Sequence, residues 1–440
     1  MSRTTRGGSR NHTPNVRPVQ RIELSERNTK QRLAAVIICL VIASAAFVYA
    51  LNGLMKNDSG WTNIEVSSSA DINCGEDFIF QYKIGVSGMD ATAEKKALTL
   101  LYTDAAVKAY QNFQNDETLE GVTSVYDINQ HPNEALSVDP ILYQAFEIFA
   151  YTGRRELYLA PIYREYDNLF FCNDDAETVS FDAYQNTEVA AYFSEITAHT
   201  NDPEMVNLEL LGDNRVRLFV SDDYLKFAKE NYISDFIDFS WMRNAFIIDY
   251  LADVMSQNGY TLGTITSSDG FTRNLDKNSA GKADLESEEQ NNGAYSFNIY
   301  DRQKQVIYPA AVMEYSGAMS IVSLHNYPMS DKEAYDYYEF KNGEIRTRYI
   351  DTKDGLCKSA VNNIVAYSED QGCVITLFEV IPVYIADSVD PDLVSYLAGD
   401  GIGLIYGKDS TLYYNDSDLK LSELYNKDGV TYTTKLVSGK

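Results

Sequence analysis

The chain has 440 residues, 45% of them hydrophobic, and carries 64 acidic against 37 basic side chains for a formal net charge of −27. Such a length can bury one large core or two ordinary ones, which excludes disorder throughout. The acidity excludes nucleic acid as a partner and disfavours anionic lipid as a docking surface for the folded part.

The chain opens with a basic leader. Its first 32 residues hold Arg3, Arg6, Arg10, Arg17, Arg21, Arg27, Lys30 and Arg32 against Glu23 and Glu26, so they carry 8 − 2 = +6. An apolar run without a charge follows from Leu33 to Leu51. At a rise of about 1.5 Å per residue it nearly spans a hydrocarbon core of roughly 30 Å. Residues 33–55 are therefore expected to anchor the chain in the cell membrane as one transmembrane helix, with Leu33 to Leu54 inside the bilayer. The positive-inside bias keeps 1–32 cytoplasmic and sends the remainder, with −27 − 6 = −33, out of the cytoplasm. A cleaved signal peptide is the competing reading, because Ala43-Ser44-Ala45 resembles a small-residue cleavage site. Bulky Ile38 argues against lipid attachment at Cys39, which reads as a small apolar side chain.

Beyond the anchor the expected order is a spacer at 56–75, a folded domain at 76–425 and a tail at 426–440. "DFIFQYKIGVSG" from Asp77 alternates like a strand, and "ATAEKKALTLLYTDAAVKAYQNFQ" from Ala91 has the composition and spacing of a helix. "DPILYQAFEIFAYTG" reads as a helix opened by Asp139 and Pro140 and closed by Gly153. "VNLELLGDNRVRLFV" reads as a hairpin turning at Gly212-Asp213-Asn214, followed by the helix-prone "SDDYLKFAKENYI". "IDFSWMRNAFIIDYLADVMSQNG" reads as the end of a buried strand running into a helix from Trp241 to about Gln257, with "YTLGTITS" the next strand.

Residues 267–295 are polar and without periodicity, so they are expected to form an exposed loop. Strand patterns return in "YSFNIYD" and "AVMEYSGAMSIVSL", and a hairpin in "YYEFKNGEIRTRYID" turns at Asn342-Gly343. "SAVNNIVAYS", "CVITLFEVIPVYIA", "PDLVSYLAGDG" and "GLIYGK" complete the pattern. Hairpin-linked strands with interleaved helices predict one α+β domain on a largely antiparallel sheet.

Cys74, Cys172, Cys357 and Cys373 lie beyond the anchor, where three disulfide pairings are open, and they form no zinc spacing. The four histidines, His12, His131, His199 and His325, include no pair at a ligand spacing, which argues against a zinc hydrolase.

Several weak motifs, taken in order, resemble the FAD:protein FMN transferases, the ApbE-like family, from about Asp77 to Asp416. The early S-x-Y-D segment is matched by "SVYDINQ" with Ser124, Tyr126 and Asp127. The central D-x-G-G-x-A-K-G-x-x-x-D is matched at 238–249: Asp238 and Asp249 are kept, Ser240 and Trp241 stand for the glycine pair, Asn244 for the lysine and Ala245 for the last glycine. The S-H-I-I-D-P-x-T-G signature is matched by "TRYIDTKDG", which keeps Asp351 and Gly355 but carries Arg348 in place of the histidine. A-D-A-L-A-T is matched at 371–376, where Thr376 is kept and Gly372 replaces the aspartate. "RELYLA" at 155–160 and "VSLHN" at 322–326 depart from two further segments.

The resemblance implies a reaction that breaks the FAD pyrophosphate with Mg²⁺ and transfers FMN to a threonine of another protein. It places cofactor contacts at Asp238, Ser240, Trp241, Asp249 and Asp351, and metal ligands at Thr376 with Asp370 as a substitute for the missing aspartate. His325 is the substitute candidate for catalysis, because Arg348 has no lone pair to accept a proton. Glycine cannot supply a carboxylate, and Trp241 fills volume that glycine leaves open. The expectation is an impaired, membrane-anchored member acting outside the cytoplasm as a flavin-binding or assembly partner of a flavoprotein or membrane redox complex. Two alternatives stand beside it: an active Mg²⁺-dependent transferase, and an accessory subunit of a membrane redox or transport complex. "SGAMS" at 316–320, similar to a modified threonine motif, is expected to be strand packing.

Overall fold

Alternating apolar and polar side chains build the first layer. In the computed structural model, which describes residues 59–67, 77–86, 88–277, 294–329 and 333–437, β1 (Gly60–Ile64) pairs antiparallel with β2 (Phe78–Ile84). Phe78, Phe80, Tyr82 and Ile84 of β2 are buried while Ile79 and Gln81 are exposed, because successive side chains of a strand face opposite ways. The Asp90 side chain accepts from the N–H groups of Thr92 and Ala93 and starts α1 (Ala91–Phe113).

A helical layer follows: α2 (Val125–Gln130), β3 (Ala135–Ser137), α3 (Pro140–Thr152), α4 (Ala160–Phe170), α5 (Asp175–Thr178) and α6 (Thr187–Thr200). Asp139 caps α3 and Gly153 ends it in the left-handed region, as the sequence predicts. β4 (Val206–Gly212) and β5 (Arg215–Val220) form the expected hairpin, extended by β3 in the order β3-β5-β4. Then come α7 (Asp222–Glu230) and α8 (Arg243–Gln257).

The remaining elements are β6 (Gly263–Ser267), β7 (Phe271–Asn274), β8 (Ala294–Gln303), β9 (Val306–Ser316), β10 (Met319–His325), β11 (Tyr337–Glu339), β12 (Ile345–Thr347), β13 (Asn363–Ser368), α9 (Cys373–Tyr384), α10 (Pro391–Gly399), β14 (Gly403–Lys408), β15 (Thr411–Tyr414), β16 (Lys420–Ser422), β17 (Asn426–Lys427), β18 (Val430–Thr431) and β19 (Thr433–Leu436). A nine-stranded sheet runs β1-β2-β6-β7-β10-β13-β14-β15-β19, antiparallel except where β19 joins β15 in parallel. This is the α+β, largely antiparallel arrangement expected from the sequence.

The two faces of that sheet are covered differently. On one face, β2, β6, β10 and β13 join α1, α8 and α9 in the main core. Phe239 is fully buried there, with ring centroids 4.8 Å from Phe113 and 5.7 Å from both Phe146 and Phe149. Burying such a ring contributes about 1.5–3 kcal/mol, which fixes the chain immediately before α8. On the other face, β8, β9 and β16 pack over Met319, Ile321, Val365, Tyr367 and Ile405 as a second core.

Four expectations are corrected. No strand leads directly into α8: residues 237–239 belong to no sheet, with Ile237 held by the Asn129 side chain and Asp238 by the Leu157 carbonyl, and lead into a 3₁₀ turn at Ser240–Met242. Within the segment read as a loop, Phe271–Asn274 is a strand in the sheet interior, since an Asp269-Gly270 turn folds it back on β6. Within "SGAMS" only Gly317 and Ala318 bend, moving the chain from β9 in one sheet to β10 in the other, while Met319 and Ser320 are buried strand residues as expected. Residues 426–436, read as a tail, supply β17 to β19, and β19 forms a sheet edge.

Among the described residues no helix is long and apolar enough to cross a membrane. The span read at 33–55, with Cys74 and residues 278–293 of the predicted loop, lies outside the described residues. Cys172, Cys357 and Cys373 are free thiols.

Candidate functional site

The approach to α8 is held by one long-range and one local bond at Asp238. The Asp238 N–H donates to the Leu157 carbonyl at 2.8 Å, and the Asp238 carboxylate accepts from the Ser240 N–H at 2.8 Å. Burial raises the Asp238 carboxyl above its usual value, against the opposing pull of the Ser240 N–H. Ser240 has φ +45°, a left-handed conformation that a residue with a Cβ rarely adopts. Trp241 is half-buried, its ring edge-on to Tyr349 with centroids 5.0 Å apart. Burial pushes the Tyr163 phenol well above its usual range, and the Trp241 indole N–H beside it pulls the other way.

Ser240, Trp241 and Tyr349 wall a cavity of ≈ 210 Å³, also lined by Arg243, Asn244, Asp269, His325, Tyr327 and Arg348. Its two arginines each face a carboxylate. Arg348 donates to Asp167 at 3.1 Å and pairs with Asp336 at 2.9 Å, while Arg243 lies 3.9 Å from Asp77. Asn244 donates to Asp269 at 3.0 Å, and burial raises the Asp269 carboxyl to about 6. Four buried polar atoms of this wall have no hydrogen-bond partner: the acceptors Asn244 Oδ1 and Asp269 Oδ1 and the donors Trp241 Nε1 and Arg348 Nε. Unmet buried groups are costly, so this wall is suited to a ligand or water that both donates and accepts.

The start of α9 lies elsewhere. Asp249 accepts from Arg273 Nη1 at 2.7 Å and from the Cys373 and Val374 N–H groups at 2.9 Å each. It is thus the helix cap that Gly372, at the N-cap position, lacks. A Cβ on Gly372 would lie 2.5 Å from Asp249 Oδ2 and 3.0 Å from Arg273 Nη1, so a larger residue would have to push the ends of this pair aside.

The structure therefore brings together Ser240, Trp241, Asn244, His325 and Arg348, and it separates them from the rest. Asp249 is turned to α9. Asp370 is exposed, whereas Thr376 is fully buried. Asp351 is bound by Lys358 at 2.8 Å and holds a turn through the Lys353 N–H. Ser124 and Asp127 form a capping box on α2. Sequence reasoning missed Asp269 and Arg273, both inside the segment read as a loop. The Asp-Gly pair between alternating residues was the signal for them.

FAD and a divalent metal, which the resemblance implies, do not fit these residues. Alone this cavity is below the roughly 300–1,000 Å³ of pockets that enclose a drug-sized ligand, and among the described residues the larger one it adjoins at Ser268 and His325 offers a phosphate no Lys or Arg. A pyrophosphate entering it would meet two guanidiniums already paired, beside Asp77, Asp269 and Asp336. At α9 the Arg273 guanidinium occupies the space beside Asp249 and Gly372, and a cation would have to displace it. Among the described residues no three His, Cys, Asp or Glu side chains form a ligating group.

No family model matches the sequence, and no curated protein matches it. Solved structures do. The ApbE protein of Thermotoga maritima superposes with a TM-score of 0.53 at 12% identity, covering 82% of this chain and 97% of that one. A point mutant of the flavin transferase ApbE from Vibrio cholerae gives 0.49 at 12% identity, covering 83% and 98%. Strands and helices of this chain, in this order, are similar in fold to an ApbE flavin transferase.

Proposed function

We propose that the chain is a non-transferring protein on a flavin-transferase fold, anchored by residues 33–55 and acting outside the cytoplasm as a binding or assembly partner of a membrane redox complex. One observation carries the reading: each cationic side chain near the former chemistry, Arg243, Arg348 and Arg273, is matched to a carboxylate of the protein itself. Phosphoryl chemistry needs unmatched positive charge where negative charge develops. A protein that neutralises its cations internally leaves nothing to stabilise a departing phosphate.

The test is direct. The full-length chain, given FAD, Mg²⁺ and a threonine-bearing acceptor, should release no AMP and leave no covalent FMN on the acceptor. Removing one electrostatic contributor commonly costs about 10²–10³ in rate, and several together bring the rate close to background. Acceptor flavinylation that depends on the wild-type chain would overturn the reading. Membrane fractionation checks the anchor: deletion of residues 33–55 should move the protein to the soluble fraction.

A further inference from the structure

A second, larger cavity of ≈ 670 Å³ lies on the sheet face opposite α8 and α9. Strand register places Gln81, Thr264, Thr266, Thr272 and Ser323 on this face, where β8, β9 and β16 leave it uncovered. Trp61, 52% exposed, and Tyr295 form its aromatic wall, meeting edge-on with centroids 6.4 Å apart. Among the described residues no Asp, Glu, Lys or Arg lines it. At its floor Asn363 is only 3% exposed, yet its Oδ1 has no hydrogen-bond partner.

We infer that this groove binds a short run of neutral sugar units. A pyranose offers C–H groups on one face, which pack on an indole or phenol ring, and hydroxyls around its rim that both donate and accept. Threonine, serine, glutamine and asparagine side chains answer those hydroxyls without charge. A donated hydroxyl satisfies the buried Asn363 acceptor, which otherwise costs stability. Among the described residues anionic ligands find no Lys or Arg here, only the imidazole of His325, and the acidic chain repels them. The groove adjoins the α8 cavity, sharing Ser268 and His325 with it, but the residues that carry the inference, Trp61, Thr264 and Asn363, line the groove alone, so it holds whether or not the α8 cavity is inactive.

The sequence contains two tryptophans, so Trp241→Phe leaves Trp61 as the sole indole reporter. The experiment titrates this variant, full length in a sugar-free detergent, with soluble hexasaccharides of β-1,4-glucose, α-1,4-glucose and β-1,4-N-acetylglucosamine, and with a sulfated hexasaccharide as the anionic control. Calorimetry on the parent runs in parallel. At least one neutral hexasaccharide should shift Trp61 emission at millimolar concentration, and the sulfated one should not. Trp61→Ala and Asn363→Ala should each weaken binding about tenfold or more. Thr264→Val, which keeps shape and loses one hydroxyl, should weaken it with an unchanged melting temperature. Silence across the neutral panel by both methods, preference for the sulfated sugar, or binding indifferent to Trp61→Ala and Thr264→Val overturns the proposal. So does capture of an extended peptide without any sugar, or sugar binding only after deletion of 279–292.

Discussion

The starts of α8 and α9 are built in opposite ways. At α8 a residue with a Cβ sits in a backbone suited to glycine: Ser240 holds φ +45°. At α9 the N-cap is a glycine, and the space beside it is filled by an ion pair, Asp249 with Arg273, that reaches in from α8 and β7. Backbone geometry is fixed by the packing of Phe239 and its neighbours, which every substitution must respect. Charge is local, so an arginine can be exchanged at such a position while the fold stays the same.

Mutation can break that contrast at its strongest point first. Asp249→Ala removes the cap of α9 and leaves Arg273 unpaired, and should cost about 3 kcal/mol in urea unfolding. Arg273→Ala in the same background should then add little, because the cycle counts the pair once. A full additive loss would mean that the two do not act as a unit.

Asp269, beside the α8 cavity, sharpens the contrast through pH. Its folded carboxyl titrates at about 6 against a usual 3.8, because burial disfavours the charge. The folded state therefore binds the extra proton, and this contribution is present below about pH 3.8 and lost as pH rises through about 6. Asp269→Asn should gain about 1–2 kcal/mol over the parent at pH 8 and nothing near pH 4, since one pKa unit is about 1.4 kcal/mol and partial exposure screens some of it. An equal gain at both pH values would locate the effect outside ionisation.

Ser240 gives the smallest effect. Ser240→Gly relieves left-handed strain and adds chain entropy to the unfolded state, so it should be neutral or stabilising by up to about 1 kcal/mol. Ser240→Val should cost about 1–2 kcal/mol, because a branched Cβ suits that conformation least. A clear loss on Ser240→Gly would assign the hydroxyl a role of its own.

Most of the fold was legible because periodicity reports burial on one face, as β2 and β6 illustrate. Helix ends were legible where a local residue makes the cap, as Asp139 and Gly153 do for α3. The α9 cap was not, because it arrives from Asp249, far away in the chain. Arg273 was hidden by its setting, a short strand in a polar stretch whose turn signal was outweighed by composition. For the cavity, sequence identified Trp241, Asn244 and Arg348, yet pairing of Arg348 with Asp167 and Asp336 is a fact of tertiary placement that no spacing encodes.

One feature of the sheet bears on how the molecule comes to exist. β2 pairs with β6 across residues 85–262, which include α1 to α8 and the β3-β5-β4 sheet. Closing a loop of that length costs about 4–5 kcal/mol of chain entropy before any contact repays it. During synthesis β2 emerges with β1 alone beside it, and its other edge waits for the helical layer to be made. That layer is rich in local contacts and can form early, so its packing would bring the two strands together. Joining them is then expected to be the slow phase of refolding, and the waiting edge of β2 the place where aggregation begins.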